Sequence, residues 1–361
     1  MRKFFQHALE NITKYGDTDI FPFPVESHVF FDKMPDIVTL LLDIDVKFDE
    51  RLAESPPANY SALAPVGYTG FRWATQLDSL WNAYFLGIVL SISDEIERAR
   101  IHNSRNIVFS YRFSLNENSK ELFEREYYWR TFMEHSLFLA RESAFVVTCD
   151  ISEFYPRLNH HRLENALKQL DLKGNQSSRI MDFLKNFSRT YSVGMPVGGP
   201  AARILSELYL YQVDQLLTLD GIKFCRFADD YHIFCSTYED AFRALVFLSE
   251  KLLRNLVLQL QNSKTRILSG QEFIATSPLG TEEENAPADH ESLSLKEQSQ
   301  NLLRFSVRFD PYSPTAGEDC EALKEELKKF DIYCTLKIRA CKKPNSYKSI
   351  QKNCLRNSFY Q

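Results

Sequence analysis

The segment IKFCRFADDYHIFC, residues 222–235, constrains this chain more than any other stretch. Apolar residues flank Ala228-Asp229-Asp230-Tyr231 on both sides, the pattern of two strands joined by a tight turn. Two adjacent carboxylates at a hairpin repel each other unless a cation joins them. Strand alternation points their side chains to opposite faces, so one of the pair is expected to ligate directly. A second apolar run, FVVTCD at 145–150, reads as a buried strand and ends in Asp150, a natural second ligand. Oxygen donors with no nearby Cys/His pair favour Mg²⁺ or Mn²⁺ over Zn²⁺. Two such ions ~4 Å apart activate an attacking hydroxyl and stabilise a leaving phosphate. Taken singly, each element also reads as a plain turn or a strand-end cap.

The flanking chain gives these acids a frame. NHHRLENALKQL places Leu163, Ala166, Leu167 and Leu170 at helical spacing. SVGMPVGGP at 192–200 is a glycine-rich loop leading into the helical ARILSELYLYQVDQLL. EDAFRALVFLSEKLLRNL is a helix with Leu245, Leu248 and Leu252 on one face, and LVLQLQNSKTRIL a strand, a turn and a further strand. From 145 to 270 the order is strand, helix, helix, hairpin, helix, strand. That order predicts an antiparallel sheet backed by helices, an α+β layer. Upstream, the prolines of 21–26 and 54–68 predict loops or extended chain. Trp73 to Arg100 predicts a helix, RNIVFSYRFSL from Arg105 a strand, and FEREYYWRTFMEHSLFLARES an amphipathic helix. Downstream, 271–300 reads as an acidic solvated loop and EALKEELKKFD as a charged helix. The tail from Leu336 carries seven Lys and Arg and no acid, and reads either as a nucleic-acid contact or as a solvated end.

Composition narrows the function classes. Hydrophobic residues make up 44% and charged residues 25%, as in soluble globular proteins. The net charge of −5 gives no global basic field, so any nucleic-acid site must be a local channel on an acidic body. The apolar run Ile37 to Ile44 is too short to span a bilayer, and the opening MRKFFQHALEN lacks the apolar core of a signal peptide. Seven scattered cysteines, without metal-type pairing, read as reduced thiols of a cytoplasm.

Four segments in order resemble the palm of reverse transcriptases. CDISEFYP at 149–156 looks like the first metal-binding motif. GMPVGGPAARILSELYL at 194–210 looks like the template-and-nucleotide loop and helix. RFADD at 226–230 resembles the YxDD signature with Phe227 in the tyrosine position, and NSKTRI at 262–267 the following lysine motif. VFSYRF at 108–113, GDTDIFPFP at 16–24 and GFRWATQLDSLWNAY at 70–84 are similar to bacterial defence-associated and abortive-infection reverse transcriptases. Val197 stands where group II intron and retron enzymes carry glutamine. The resemblance implies a right-hand polymerase with fingers, a ferredoxin-like antiparallel palm and a short helical thumb. The corresponding division is 1–145 for the N-terminal region and fingers, 146–270 for the palm, and 271–361 for an acidic loop, a partial thumb and the basic tail.

The resemblance also implies roles. Asp150 and Asp229 would hold two Mg²⁺ ions, with Mn²⁺ as a substitute, and Asp230 would support them. Ile151 would lend its backbone at the metal and triphosphate site. Tyr155 would be the sugar gate that favours deoxynucleotides, the alternative being a core tyrosine beside Phe154. Gly194, Gly198 and Gly199 would let nucleotide or template approach the backbone. Lys264 would neutralise or protonate departing pyrophosphate, and Arg112 would clamp the triphosphate. Arg203 would bind phosphate or pair with Glu207 one turn later. Histidines 160, 161 and 232 read as satisfied or solvated, and the tryptophans as core. The expected partners are dNTPs, an RNA template or structured non-coding RNA, and the DNA product, with a homo-oligomer or partner protein left open and no membrane. The implied function is RNA-directed DNA polymerisation in antiphage defence. Template-independent or protein-primed nucleotidyl transfer and a non-catalytic RNA scaffold are the alternatives.

Overall fold

The computed structural model describes residues 1–18, 26–66, 70–170, 172, 174–188 and 191–279. Helix α1 (Arg2–Tyr15) buries Phe5, Ala8, Leu9 and Ile12, one apolar stripe at helical spacing. Helices α2 (Glu26–Asp32), α3 (Met34–Val46) and α4 (Phe48–Glu54) follow. Strands β1 (Asn59–Val66) and β2 (Gly70–Leu77) then pair as an antiparallel ribbon. The helix expected from Trp73 therefore starts later, as α5 (Ser79–Leu90), where the Asp78 carboxylate accepts from the Trp81 amide at 3.0 Å. Nearly every residue of α5 is buried, which explains its lack of a polar face. Helix α6 (Ser93–Ala99) completes this region.

The segment expected as a strand from Arg105 is irregular. Its regular pairing is limited to bridges at Val108–Arg226 and Phe113–Phe123. Tyr111 sits at φ +46°, which breaks an extended run. The carbonyls of Ser110 and Tyr111 accept from Arg100 at 2.7 and 2.9 Å instead of from a strand.

Helix α7 (Trp129–Arg141) leads into β3 (Phe145–Asp150), followed by the short α8 (Phe154–Arg157), α9 (His160–Lys168) and α10 (Gln176–Ser188). Helix α11 (Pro200–Leu219) runs into β4 (Lys223–Phe227) and β5 (Asp230–Cys235). Helix α12 (Tyr238–Lys251) continues into a π-helical turn at Leu252–Leu256, then β6 (Arg266–Ser269) and α13 (Gly270–Thr276). The four strands order β4-β5-β3-β6, all neighbours antiparallel, the sheet expected of a palm. Residues 271–276, expected in an acidic loop, belong to helix α13, with the Ser269 hydroxyl accepting from the Glu272 amide at 3.1 Å. The acids of 282–291, the thumb-like stretch from Phe309 and the basic tail lie outside the described residues.

Helix α11 is buried almost all round, yet carries Arg203, Glu207 and Asp214 inside. Glu207 is fully buried. It accepts from Arg100 at 2.7 Å, from Arg226 at 2.8 Å and from the Ser110 hydroxyl at 2.5 Å. Asp214 accepts from Arg226 at 2.6 Å, and Glu97 from Arg100 and Arg112 at 2.7 and 2.8 Å. Three arginines thus face three carboxylates beneath the sheet. Charges so deep persist only when matched and fully hydrogen-bonded, so loss of one partner is far more damaging than loss of a surface pair.

Candidate active site

Strands β4 and β5 close through Phe227 opposite Asp230, leaving Ala228 and Asp229 as a two-residue turn. Ala228 sits at φ +53°, a positive φ of the kind two-residue hairpins demand, although alanine adopts it unwillingly. The Ile151 amide donates to the Asp229 carbonyl at 3.2 Å and fixes the turn to the end of β3. In the register, Asp150 lies directly opposite Asp230. The Gln261 amide donates to the Asp150 carbonyl at 2.7 Å, and the Lys264 amide to the Gln261 carbonyl at 3.0 Å. That short chain of bonds carries Lys264 back to the site, where its ammonium is ion-paired with the Asp150 carboxylate.

Three carboxylates crowd one end of the sheet. Burial, then the charges of Asp230 and Asp150, push the Asp229 carboxyl up to about 8, with Lys264 opposing. Asp229 nonetheless keeps a partly exposed edge, so the site opens to solvent. Burial alone would lower the Lys264 ammonium; the hydrogen bond and charge of Asp150, with Asp230 and Asp229 behind it, raise it instead. These groups favour added positive charge. Among the described residues, no three His, Cys, Asp or Glu side chains form a ready-made metal cage. The oxygen-only donor set, a carboxyl that holds its proton near neutrality, and an ammonium seated on its neighbour fit a hard divalent cation. Asp150 and Asp229 would hold it, with Asp230 alongside.

The glycine loop is laced onto the chain that follows Asp150. The Gly194 amide donates to the Leu158 carbonyl at 2.9 Å and the Met195 amide to the Tyr155 carbonyl at 3.1 Å. Nε2 of His160 lies 2.8 Å from the Gly194 carbonyl. Gly194 and Gly198 both sit at φ +98°, where a side chain would be strained. Gly199 caps α11, and a Cβ there would stand 3.2 Å from the Asp17 carbonyl. Tyr155, half-buried, thus borders both the loop and the carboxylates. Burial raises its phenol, with Arg203 and Ser206 opposing and Asp229 adding to the rise.

The Ile151 amide is taken by the Asp229 carbonyl. One expectation is corrected by this geometry. Arg112 is only 1% exposed and is not a clamp at the site. Its guanidinium donates to Glu97 at 2.8 Å and to the Val108 and Ile101 carbonyls at 3.1 and 2.7 Å, so it braces the irregular segment. Arg203 lies 5.0 Å over the Tyr111 ring. His232 is held by Ser136 at 2.9 Å and stacks on Phe132, and Trp81 is core. Cys149, Cys225 and Cys235 are free thiols, and no described helix is long and apolar enough to cross a membrane.

A family model described as reverse transcriptase (RNA-dependent DNA polymerase) matches residues 95–302, more than half of the chain. The chain belongs to the reverse transcriptase family. The matched span holds every group just described at the carboxylate turn, together with the whole buried ion network. Among solved structures it is similar to telomerase from Candida albicans in complex with a TWJ fragment of telomeric RNA, at 14% identity and a TM-score of 0.40. It is also similar to apo telomerase from Candida tropicalis, at 11% identity and a TM-score of 0.42. These matches cover 77% and 81% of this chain but 56% and 63% of the telomerase chains. No curated protein matches the sequence.

Arg226, Asp214 and Arg100 carried no assignment in the sequence. A signal existed for Asp214. Arg203, Glu207 and Asp214 recur four and seven residues apart in an otherwise apolar helix, a polar stripe that needs buried partners.

Proposed function

We propose that the protein is a Mg²⁺-dependent RNA-directed DNA polymerase that uses dNTPs and acts in antiphage defence. One observation carries the polymerase reading: the Asp150, Asp229 and Asp230 cluster at the β3–β5 end, with Lys264 on it and the glycine loop beside it. When bound, the divalent ions supply activation of the primer hydroxyl and stabilisation of the leaving diphosphate. The residues of the chain do the rest. Asp150 and Asp229 hold positive charge at the turn. Lys264, released from Asp150 as cations enter, supplies an ammonium for the departing pyrophosphate. Tyr155 narrows the sugar side of the site against a 2′-hydroxyl, and the glycine loop brings backbone close to the nucleotide. The resemblance of DISEFYP and the N-terminal segment to the bacterial defence group supports the antiphage role.

The test is incorporation of labelled dNTPs by the purified full chain in Mg²⁺, with and without its co-purifying RNA, followed by product sequencing. Product copied from RNA and lost after ribonuclease treatment is the expected result. Product of a sequence absent from any added or co-purified RNA would establish template-independent transfer, and no incorporation with retained RNA binding would establish a scaffold.

A further inference from the structure

Arg226 is fully buried three residues before Asp229. Its guanidinium reaches in three directions: to Asp214 at 2.6 Å, to Glu207 at 2.8 Å and to the Ala228 carbonyl at 2.9 Å. The last bond is decisive, because Ala228 is the strained residue that turns the chain into Asp229. Asp214 also accepts from the Tyr231 hydroxyl at 3.3 Å. One carboxylate on α11 therefore grips the strand entering the turn through Arg226 and the strand leaving it through Tyr231. The Arg226 backbone is tied to the irregular segment as well: its amide donates to the Ile107 carbonyl at 2.8 Å, and its carbonyl accepts from Phe109 at 2.9 Å.

We propose that Arg226 is a positioning residue for the catalytic turn, holding the Ala228 carbonyl so that the Asp229 carboxylate faces Asp150 at the cation site. The planar fork matters. It spans two carboxylates and a carbonyl at fixed angles, whereas an ammonium is a point charge that cannot serve all three. Glu207 and Asp214 hold the fork. The turn is thus clamped from the helix rather than resting on its own two residues, which a small strained turn needs if it is to keep one geometry against carboxylate repulsion. This inference rests on the polymerase reading for its kinetic part and on the carboxylate site alone for its binding part.

The test compares Arg226→Lys with Arg100→Lys, a control in the same network with no bond to the turn. Mn²⁺ binding is followed by electron paramagnetic resonance of the free ion, with Asp229→Asn marking the specific site. Thermal melting and single-nucleotide kinetics are measured on the same proteins. Arg226→Lys is expected to weaken site-specific Mn²⁺ binding about 10-fold and to lower kcat at least 10-fold, with KM for dNTP within about 3-fold. Arg100→Lys is expected to lower the melting temperature while leaving Mn²⁺ binding within about 2-fold. Should Arg226→Lys fail to fold, the charge-balanced pair R226Q/D214N carries the same expectation. Mn²⁺ binding and kcat within 2-fold of wild type in a variant lacking the fork would overturn the proposal and leave Arg226 a strut. Equal loss of Mn²⁺ binding in Arg100→Lys would overturn it too. A wild-type chain that binds Mn²⁺ through Asp229 but incorporates no dNTP would refute the polymerase reading while the binding comparison still decides the role of Arg226.

Discussion

Asp229→Asn should make the metal-free protein more stable while abolishing incorporation. The reasoning starts from the crowding of three carboxylates. An acid whose folded pKa lies above its unfolded value holds its proton in the native state after the unfolded chain has lost it. Metal-free stability therefore falls as pH rises from about 4 through about 8. The Asp229 carboxyl moves from 3.8 to about 8. At about 1.4 kcal/mol per unit, this caps its destabilising effect at roughly 6 kcal/mol above pH 8. Solvent screening at the partly exposed edge of the residue brings the expected gain on removing the charge to about 1–3 kcal/mol. For a protein of this size that is a rise of roughly 1–4 °C in melting temperature. The assay is calorimetry in EDTA at pH 5 and pH 8, with the wild type and the amide variant side by side. The difference should be large at pH 8 and should shrink at pH 5, where the wild-type carboxyl is protonated. Added Mg²⁺ should reverse the order, because the carboxylate binds the ion and the amide does so poorly. A variant less stable than wild type at pH 8 in EDTA, or a difference independent of pH, refutes the argument.

Other outcomes follow from the same coordinates. Tyr155→Ala should admit ribonucleotides by removing the ring that meets a 2′-hydroxyl; an unchanged dNTP/rNTP preference in a competition assay assigns the gate elsewhere. Gly194→Ala should lower stability by about 1 kcal/mol through its φ of +98° and disturb the loop, read as a lower urea midpoint and a raised KM for dNTP. Val257, half-exposed at φ +60°, is a β-branched residue in a region that disfavours it, so Val257→Asn should add about 1 kcal/mol in urea with kcat unchanged; a loss of stability instead means that its packing outweighs the strain. Mn²⁺ should bind more tightly at pH 8 than at pH 6, since entry displaces a proton from Asp229; titration calorimetry showing no proton release removes that assignment.

The amino-acid sequence by itself determined the sheet and the acids at its end. Short apolar runs punctuated by Ala-Asp-Asp and by Asp150 admit few arrangements, because burying both faces of the strands while leaving carboxylates at one edge fixes which ends meet. The helices α9 and α12 were legible from an apolar stripe of the right period on each. Only the tertiary structure decided the fate of the charges between them. Arg112 looked like a surface clamp because a lone arginine in an apolar segment gives no sign of its partner; Glu97, fifteen residues away and on another element, takes it inside. The segment from Arg105 to Leu115 had a strand composition, but it pairs only at isolated bridges and the carbonyls of Ser110 and Tyr111 go to Arg100, so side-chain bonds interrupt the ladder. The prolines of 54–68 predicted loops or extended chain, and Asn59–Val66 is indeed extended, paired with β2. Arg226, Glu207 and Asp214 are ordinary charges when read in a line. Their meaning arises when α11 is pressed against the sheet, where water is gone and each charge must be answered by a residue that only the fold brings near.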